Sequence, residues 1–215
     1  MSARARLILA VAALLALAGT VLATIAASSQ DEAAEPAAVV EGSGSPFEGA
    51  VRPDGLPGDF SLRNQDGDLV RTADLRGKVI VITPTYTRCE ESCPIAVQQV
   101  RGALDDLSDA DRGRVRAFAL SVDPENDTPD SAQEFLLSRR VRGYLDYLLG
   151  TRRELQPVWR QYGFAPQTET REHNSHIVVV DGEGDQRVGF PLQYVTPETL
   201  RHDIELVLRR PAGAR

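Results

Sequence analysis

The topology of this chain follows from one run of residues: Lys78-Val79-Ile80-Val81-Ile82-Thr83-Pro84-Thr85-Tyr86-Thr87-Arg88-Cys89-Glu90-Glu91-Ser92-Cys93-Pro94. Residues 78–86 are apolar and rich in β-branched side chains, which predicts a buried strand. From Pro94 to Leu107 the apolar residues recur at helical spacing, which predicts a helix that opens with a proline. The run therefore predicts a strand and a helix joined by a loop that carries Cys89 and Cys93.

These two residues are the only cysteines in the chain. They precede a helix N-terminus, where unpaired N–H groups and the helix dipole stabilise a thiolate. Three interpretations are open: a structural disulfide, a redox dithiol that cycles with a partner, and a metal site of two thiolates and another ligand. A disulfide across so short a loop removes little entropy from the unfolded chain, so a structural bridge would stabilise weakly.

Similar signals lie on both sides of the run. A hairpin is predicted where Asp66-Gly67 separates residues 59–62 from residues 69–70, because Asp-Gly favours tight turns. Further strands are predicted at residues 115–122, 144–149, 176–181 and 186–190, and further helices begin at Thr128, Thr151 and Thr196. This order predicts an α/β fold with an N-terminal hairpin and a central mixed sheet flanked by helices, compatible with a thioredoxin-like fold.

The N-terminus predicts attachment to a membrane. Residues 7–27 are uncharged and strongly apolar, and Arg4 and Arg6 precede them, which predicts one transmembrane helix with a cytoplasmic N-terminus. The apolar part of a cleaved signal is usually shorter, which favours an anchor, although cleavage near Ala27 stays open. The predicted organisation is a cytoplasmic N-terminus (1–6), an anchor or signal segment (7–27), a flexible linker (28–57), an extracytoplasmic domain (58–210) and a tail (211–215).

The composition is that of a globular protein, with 42% hydrophobic and 26% charged residues. The net charge of −7 argues against a nucleic-acid partner, and it does not suggest binding to an anionic membrane surface.

Three histidines are candidates for a further metal ligand. His202 lies among charged residues of the last predicted helix and is expected to be solvated. His173 and His176 lie just before or at the start of a strand, where a histidine is more often structural than a ligand. Two thiolates that lack a further ligand favour a ligand role for one of these two histidines. A ligand set of thiolate and imidazole suits copper or zinc. Two cysteines and one histidine would leave an open site suited to handing a metal on.

Asp123 and Asp127 lie in the run Asp123-Pro124-Glu125-Asn126-Asp127-Thr128-Pro129. The pattern is typical of a turn followed by a helix N-terminus, which favours a structural role for both carboxylates. The alternative is that this loop flanks a metal site and orients its ligands.

Four segments resemble the SCO/SenC family: residues 59–62, residues 86–94, residues 121–129, and His173 ahead of residues 180–184. The resemblance covers essentially the whole domain, and its most specific parts are the C-x-x-x-C-P element and the downstream histidine. It implies a membrane-tethered, thioredoxin-like copper carrier that helps to assemble the dinuclear copper centre of cytochrome c oxidase subunit II. The partners implied are that subunit and a thioredoxin-like reductant.

The resemblance also implies a ligand set for Cu(I) or Cu(II). Cys89 and Cys93 would supply thiolates and His173 an imidazole. His173 is chosen over His176 because its distance to Gly184 matches the family pattern. His176 could be an accidental neighbour or an auxiliary ligand.

Two departures from the family pattern stand out. Pro84-Thr85 replaces a common Phe-Gly pair, and Glu90 replaces a common proline. Glu90 and Glu91 are expected to raise the pKa values of the cysteines by like-charge repulsion, which partly opposes the effect of the helix terminus.

The leading hypothesis is a copper metallochaperone and not an enzyme that turns substrate over. The alternative is an extracytoplasmic thiol–disulfide oxidoreductase that keeps the partner's cysteines reduced, with Cys89 and Cys93 as its redox-active pair. A copper- or redox-sensing module would use the same residues. Dependence of metal binding on His173 would separate the carrier from the oxidoreductase.

Overall fold

One mixed β-sheet organises the residues that this computed structural model describes, which are 45–168 and 175–210. The strands are β1 Ala50–Val51, β2 Ser61–Asn64, β3 Leu69–Arg71, β4 Val79–Thr85, β5 Val115–Ser121, β6 Leu145–Leu149, β7 His176–Val180 and β8 Gln186–Pro191. Their order across the sheet is β1-β8-β7-β4-β5-β6-β2-β3. Strands β4, β5 and β6 run parallel, and the other neighbours are antiparallel.

Helices cover the sheet. They are α1 Ser92–Asp105, α2 Asp109–Arg112, α3 Pro129–Ser138, α4 Arg152–Tyr162 and α5 Pro197–Arg209, with 3-10 turns at Thr72–Leu75 and Leu192–Tyr194. The predicted N-terminal signals at Thr128, Thr151 and Thr196 are confirmed, since each side chain accepts a hydrogen bond from the backbone N–H three residues later. The predicted hairpin is also confirmed, as β2 and β3.

The central strand β4 places its side chains alternately on the two faces of the sheet, as the pleat requires. Val79 and Val81 lie in the core that contains side chains of α1, α3 and α5. Ile80 and Ile82 lie in a second core on the opposite face, which contains Trp159 of α4. All seven residues of β4 are buried, which confirms the predicted buried strand and the mixed sheet flanked by helices.

Helix α1 begins two residues earlier than its proline predicts, at Ser92. Pro94 is the third helical residue, a position whose N–H has no partner inside the helix and can therefore be missing. As a result Cys93 lies in the first helical turn, whereas the sequence places it in the preceding loop.

The boundary between linker and domain, predicted at residues 57 and 58, lies earlier in the chain. Strand β1 pairs with β8, and the backbone N–H groups of Glu48 and Gly49 each donate a 2.9 Å hydrogen bond to the Asp203 carboxylate. Asp203 is completely buried in α5. Residues 45–57 therefore belong to the folded domain, because their polar backbone is paired with residues that follow much later in the chain.

None of the helices within residues 45–168 and 175–210 has both the length and the apolar character needed to span a bilayer. The predicted N-terminus (1–6), the anchor (7–27) and the tail (211–215) lie outside the described residues.

Candidate thiol and metal site

Cys89 and Cys93 lie together where β4 gives way to α1. Both are buried and both carry thiols rather than a disulfide. The backbone N–H of Cys93 donates to the sulfur of Cys89 over 3.2 Å, and the Ser92 hydroxyl lies 3.6 Å from the same sulfur. The helix N-terminus therefore directs its unpaired donors at Cys89, as the sequence predicts.

The two thiols differ strongly in acidity. A hydrogen bond from the Cys93 thiol, with others from Ser92 and the nearby backbone N–H groups, lowers the pKa of Cys89 to about 5 although burial opposes the shift. Burial, and then the neighbouring sulfur, raises the pKa of Cys93. At neutral pH the pair is therefore one thiolate, Cys89, beside one thiol, Cys93.

The repulsion expected from Glu90 and Glu91 does not decide the pKa of Cys89. Both glutamates are exposed, so water screens their charges, whereas the donors around Cys89 are in direct contact with its sulfur. Contact hydrogen bonds outweigh screened repulsion, and the pKa of Cys89 is lowered.

The loop before Cys89 is held by a buried carboxylate from the neighbouring strand connection. The backbone N–H and the hydroxyl of Thr87 both donate to Asp127 Oδ1 over 2.8 Å. The other oxygen of Asp127 accepts from the Ser121 hydroxyl at 2.6 Å and the Tyr147 hydroxyl at 2.9 Å. Burial raises the pKa of Asp127, although these hydrogen bonds act in the opposite direction. The carboxylate thus joins the cysteine loop to β5 and β6.

A second carboxylate holds the same loop from outside. The guanidinium of Arg88 donates to Asp123 over 2.9 Å, and Asn126 donates to both oxygens of Asp123. Asp123 is buried, whereas most of the Arg88 side chain is exposed. Both residues immediately before Cys89 are therefore bound to the β5–α3 loop. The structural roles predicted for Asp123 and Asp127 extend to positioning this loop.

The histidines fall into three different settings. His173 lies in residues 169–174, outside the described part of the chain. His176 begins β7, its Nε2 lies 3.2 Å from the carbonyl oxygen of Tyr162, and its ring centre is 4.7 Å from that of Phe164. His202 is about half exposed, as predicted, with its Nδ1 3.0 Å from the Asp203 carboxylate.

Burial lowers the pKa of His176 to about 4, so this imidazole is neutral at physiological pH. Its ring nitrogen is engaged by the Tyr162 carbonyl, which favours a structural role over that of an auxiliary ligand. Within residues 45–168 and 175–210, no three His, Cys, Asp or Glu side chains form a cluster able to hold a metal. Of the candidate ligands, the structure brings together Cys89 and Cys93, whose sulfurs suit a soft metal.

Tyr147 and Ser121 are the site residues that the sequence does not reveal. Both lie in strands, and both are hydrogen-bonded to Asp127, which holds the cysteine loop. The sequence offers one signal for them: each places a hydroxyl in a predicted buried strand, and a buried hydroxyl needs a hydrogen-bond partner.

Comparison with known proteins connects this site to a family. The sequence model described as SCO1/SenC matches residues 50–209. Among solved structures, Bradyrhizobium japonicum ScoI with copper bound is 29% identical, with 70% of this chain and 98% of that chain covered and a TM-score of 0.59. Apo Sco1 from Thermus thermophilus is 22% identical, covers 77% of this chain and 99% of its own, has a TM-score of 0.65, and supports the fold.

Curated relatives give a consistent result. The mitochondrial SCO1 homolog 1 of Arabidopsis thaliana is 28% identical over 123 residues, which are 57% of this chain and 36% of the relative. A putative copper-binding protein of Stutzerimonas stutzeri is 26% identical over 158 residues, with coverages of 67% and 76%. The chain thus spans only about a third of the plant relative's length.

Proposed function

Because the chain belongs to the SCO1/SenC family, we propose that it is a copper metallochaperone that is tethered to a membrane and supplies copper for the assembly of cytochrome c oxidase. The acceptor is the dinuclear copper centre of subunit II. The observation that carries the proposal is the buried pair of thiols, one of them ionised at neutral pH. Copper is cargo, captured and then passed on.

Capture begins at Cys89. Its thiolate needs no deprotonation at neutral pH, so it makes the first bond to an incoming copper ion. Cys93 keeps its proton until the ion arrives, and it releases that proton when its sulfur becomes the second ligand. His173 completes the site when the ion is Cu(II). Release proceeds by exchange of these ligands for cysteines of the acceptor, so the protein passes on one ion and makes no product.

Attachment and orientation are part of the proposal. Residues 7–27 would form a single anchor, residues 28–44 a tether, and the domain that begins near residue 45 would face the extracytoplasmic side. An anchored carrier stays close to an acceptor in the same membrane, which raises its effective concentration there.

The second candidate function is thiol–disulfide oxidoreductase. An acidic thiol at a helix N-terminus beside a second thiol is also what disulfide exchange requires. In this case Cys89 attacks a partner disulfide and Cys93 resolves the mixed disulfide. A thioredoxin-like reductant would then restore both thiols.

The test is a copper titration of the completely reduced full chain in non-ionic detergent. Binding is monitored by the sulfur-to-copper charge-transfer absorption. We expect one copper per chain, and loss or change of the Cu(II) absorption in His173→Ala but not in the control His202→Ala. An identical titration of wild type and His173→Ala would contradict the ligand assignment. Absence of copper binding with a readily cycled disulfide would favour the oxidoreductase.

A further inference from the structure

A basic cavity lies at the end of the sheet opposite the cysteines. Its volume is about 410 Å³, and its lining includes Lys78, Arg112 and Arg116 together with Tyr144 and Asp146. Three cations and one carboxylate give this lining a net positive charge, although the chain as a whole carries −7. The positive charge is therefore concentrated locally in a protein that is otherwise acidic.

The topology keeps this cavity apart from the thiol site. Lys78 directly precedes β4, and the cysteine loop follows β4, so a strand of seven residues, about 20 Å, separates them. Strand β5 begins level with β4, because Val79 is paired with Val115. The cavity thus lies where the parallel strands start, and the thiol site lies where they end.

Two of the cations have no carboxylate partner in the described part of the chain. The Lys78 amine donates a 3.1 Å hydrogen bond to the carbonyl oxygen of Gly113. The Arg112 guanidinium donates a longer one, of 3.5 Å, to the carbonyl oxygen of Gly143. Arg116, by contrast, is paired with Asp146. Both Lys78 and Arg112 are half-buried, so they lose hydration without gaining a counter-charge.

The aromatic ring in the lining helps to hold the arginine. The guanidinium of Arg112 lies 5.7 Å from the centre of the Tyr144 ring, and that of Arg101 lies 5.0 Å from the same centre. Such cation–π contacts orient the planar guanidinium at low entropic cost, while its remaining N–H groups stay available. A fixed guanidinium beside an amine is a common arrangement for binding the oxygens of a phosphate.

We propose that this cavity is a binding site for a phosphate-type oxyanion, held by Lys78 and Arg112 with Arg116 at its side. The ligand is either a soluble phosphate compound or the phosphate of a lipid headgroup. In both cases the oxyanion supplies Lys78 and Arg112 with the counter-charge that no carboxylate of the described residues provides. The site is independent of copper binding, because it involves none of the proposed copper ligands.

Lys78 gives a direct readout because it is the only lysine in the chain. The reduced full chain is treated with an amine-reactive acetylating reagent, and modification of Lys78 is followed by peptide mass spectrometry. One probe is pyrophosphate, added to the protein in non-ionic detergent, with sodium chloride at equal ionic strength as the reference. Nanodiscs of phosphatidylcholine with or without phosphatidylglycerol are the other probe.

We expect an occupied site to slow acetylation of Lys78 about tenfold, since a bound anion covers the amine and engages it in hydrogen bonds. Slowing by pyrophosphate identifies a soluble ligand, and slowing only on phosphatidylglycerol discs identifies the lipid headgroup. Arg112→Gln should abolish the effect, whereas Arg153→Gln, which removes an exposed charge on α4, should retain it. No slowing of the wild-type chain by either probe, or equal slowing in Arg112→Gln, would overturn the proposal.

Discussion

The backbone N–H of Cys93 points at the sulfur of Cys89, 3.2 Å away, and not the reverse. This direction makes the pair asymmetric, because a donor stabilises the charge of the sulfur that receives it. One sulfur is prepared to attack or to bind, and the other is held in reserve as a thiol.

The first prediction concerns the reactivity of Cys89. In the reduced protein, alkylation of Cys89 by iodoacetamide should rise with a midpoint near pH 5, while Cys93 reacts much more slowly up to pH 9. Peptide mass spectrometry separates the two rates. Because Glu90 and Glu91 are exposed, Glu90→Gln and Glu91→Gln should leave the midpoint within about half a pH unit. A midpoint near 8.5, as for an ordinary cysteine, would refute the asymmetry.

The second prediction concerns pH and stability through His176. Its pKa is lowered to about 4 in the folded protein, against about 6.5 in the unfolded chain. Between these values the unfolded chain binds more protons, so the contribution is present above pH 6.5 and is lost as the pH falls toward 4. When the pH is lowered from 7 to 5, the free energy of unfolding should therefore fall by about 2 kcal/mol more in wild type than in His176→Phe.

Urea unfolding of both proteins at the two pH values measures this difference. Phenylalanine is the suitable replacement because it can keep the contact with the Phe164 ring. Equal pH dependence in the two proteins would show that His176 is not the neutral, buried group described.

The third prediction concerns the Asp127 carboxylate. Asp127→Ala should lower the unfolding free energy by about 3 kcal/mol or more, because the N–H of Thr87 and the hydroxyls of Ser121 and Tyr147 lose their acceptor. Tyr147→Phe removes a single hydrogen bond and should cost about 1 kcal/mol. Hydrogen exchange of the Thr87 amide should accelerate in the first variant only. A cost for Asp127→Ala no larger than that for Tyr147→Phe would argue against its role in holding the loop.

The fourth prediction tests whether residues 45–57 belong to the domain. A Cβ atom on Gly49 would clash with Val188 and would lie 2.8 Å from Phe190 Cζ, so Gly49→Ala should displace β1. We expect a loss of about 1–3 kcal/mol and faster proteolysis of this segment. Gly113→Ala is the matched control, since its Cβ would meet nothing closer than 3.5 Å. A neutral Gly49→Ala would mean that the segment does not pack as described.

The sequence predicts those parts of the fold whose cause is local. The helix starts at Thr128, Thr151 and Thr196 are correct because each cap is made within three residues. Strand β1 could not be predicted in this way. Two residues carry no periodicity, and their neighbours are paired with Asp203, more than 150 residues further along the chain.

The candidate site shows the same division. The identity of the thiols and the position of Cys89 just before a helix are readable from residues 89–94, whereas the place of Cys93 in the first helical turn and the acidities of both thiols are not. The sequence shows the charges of Glu90 and Glu91 but not their exposure, and it does not show that Ser92 and the N–H of Cys93 lie against one sulfur. The contact of Asp127 with Thr87 crosses between two loops and likewise has no local signal.

The two edges of the sheet are unusually short, with β1 of two residues at one side and β3 of three at the other. A longer edge would present a row of N–H and C=O groups to which a strand of another molecule could add. This domain offers little such main chain, so it resists edge-to-edge aggregation. A partner protein therefore gains little from adding a strand at either edge, and its recognition of this domain depends on surface side chains instead.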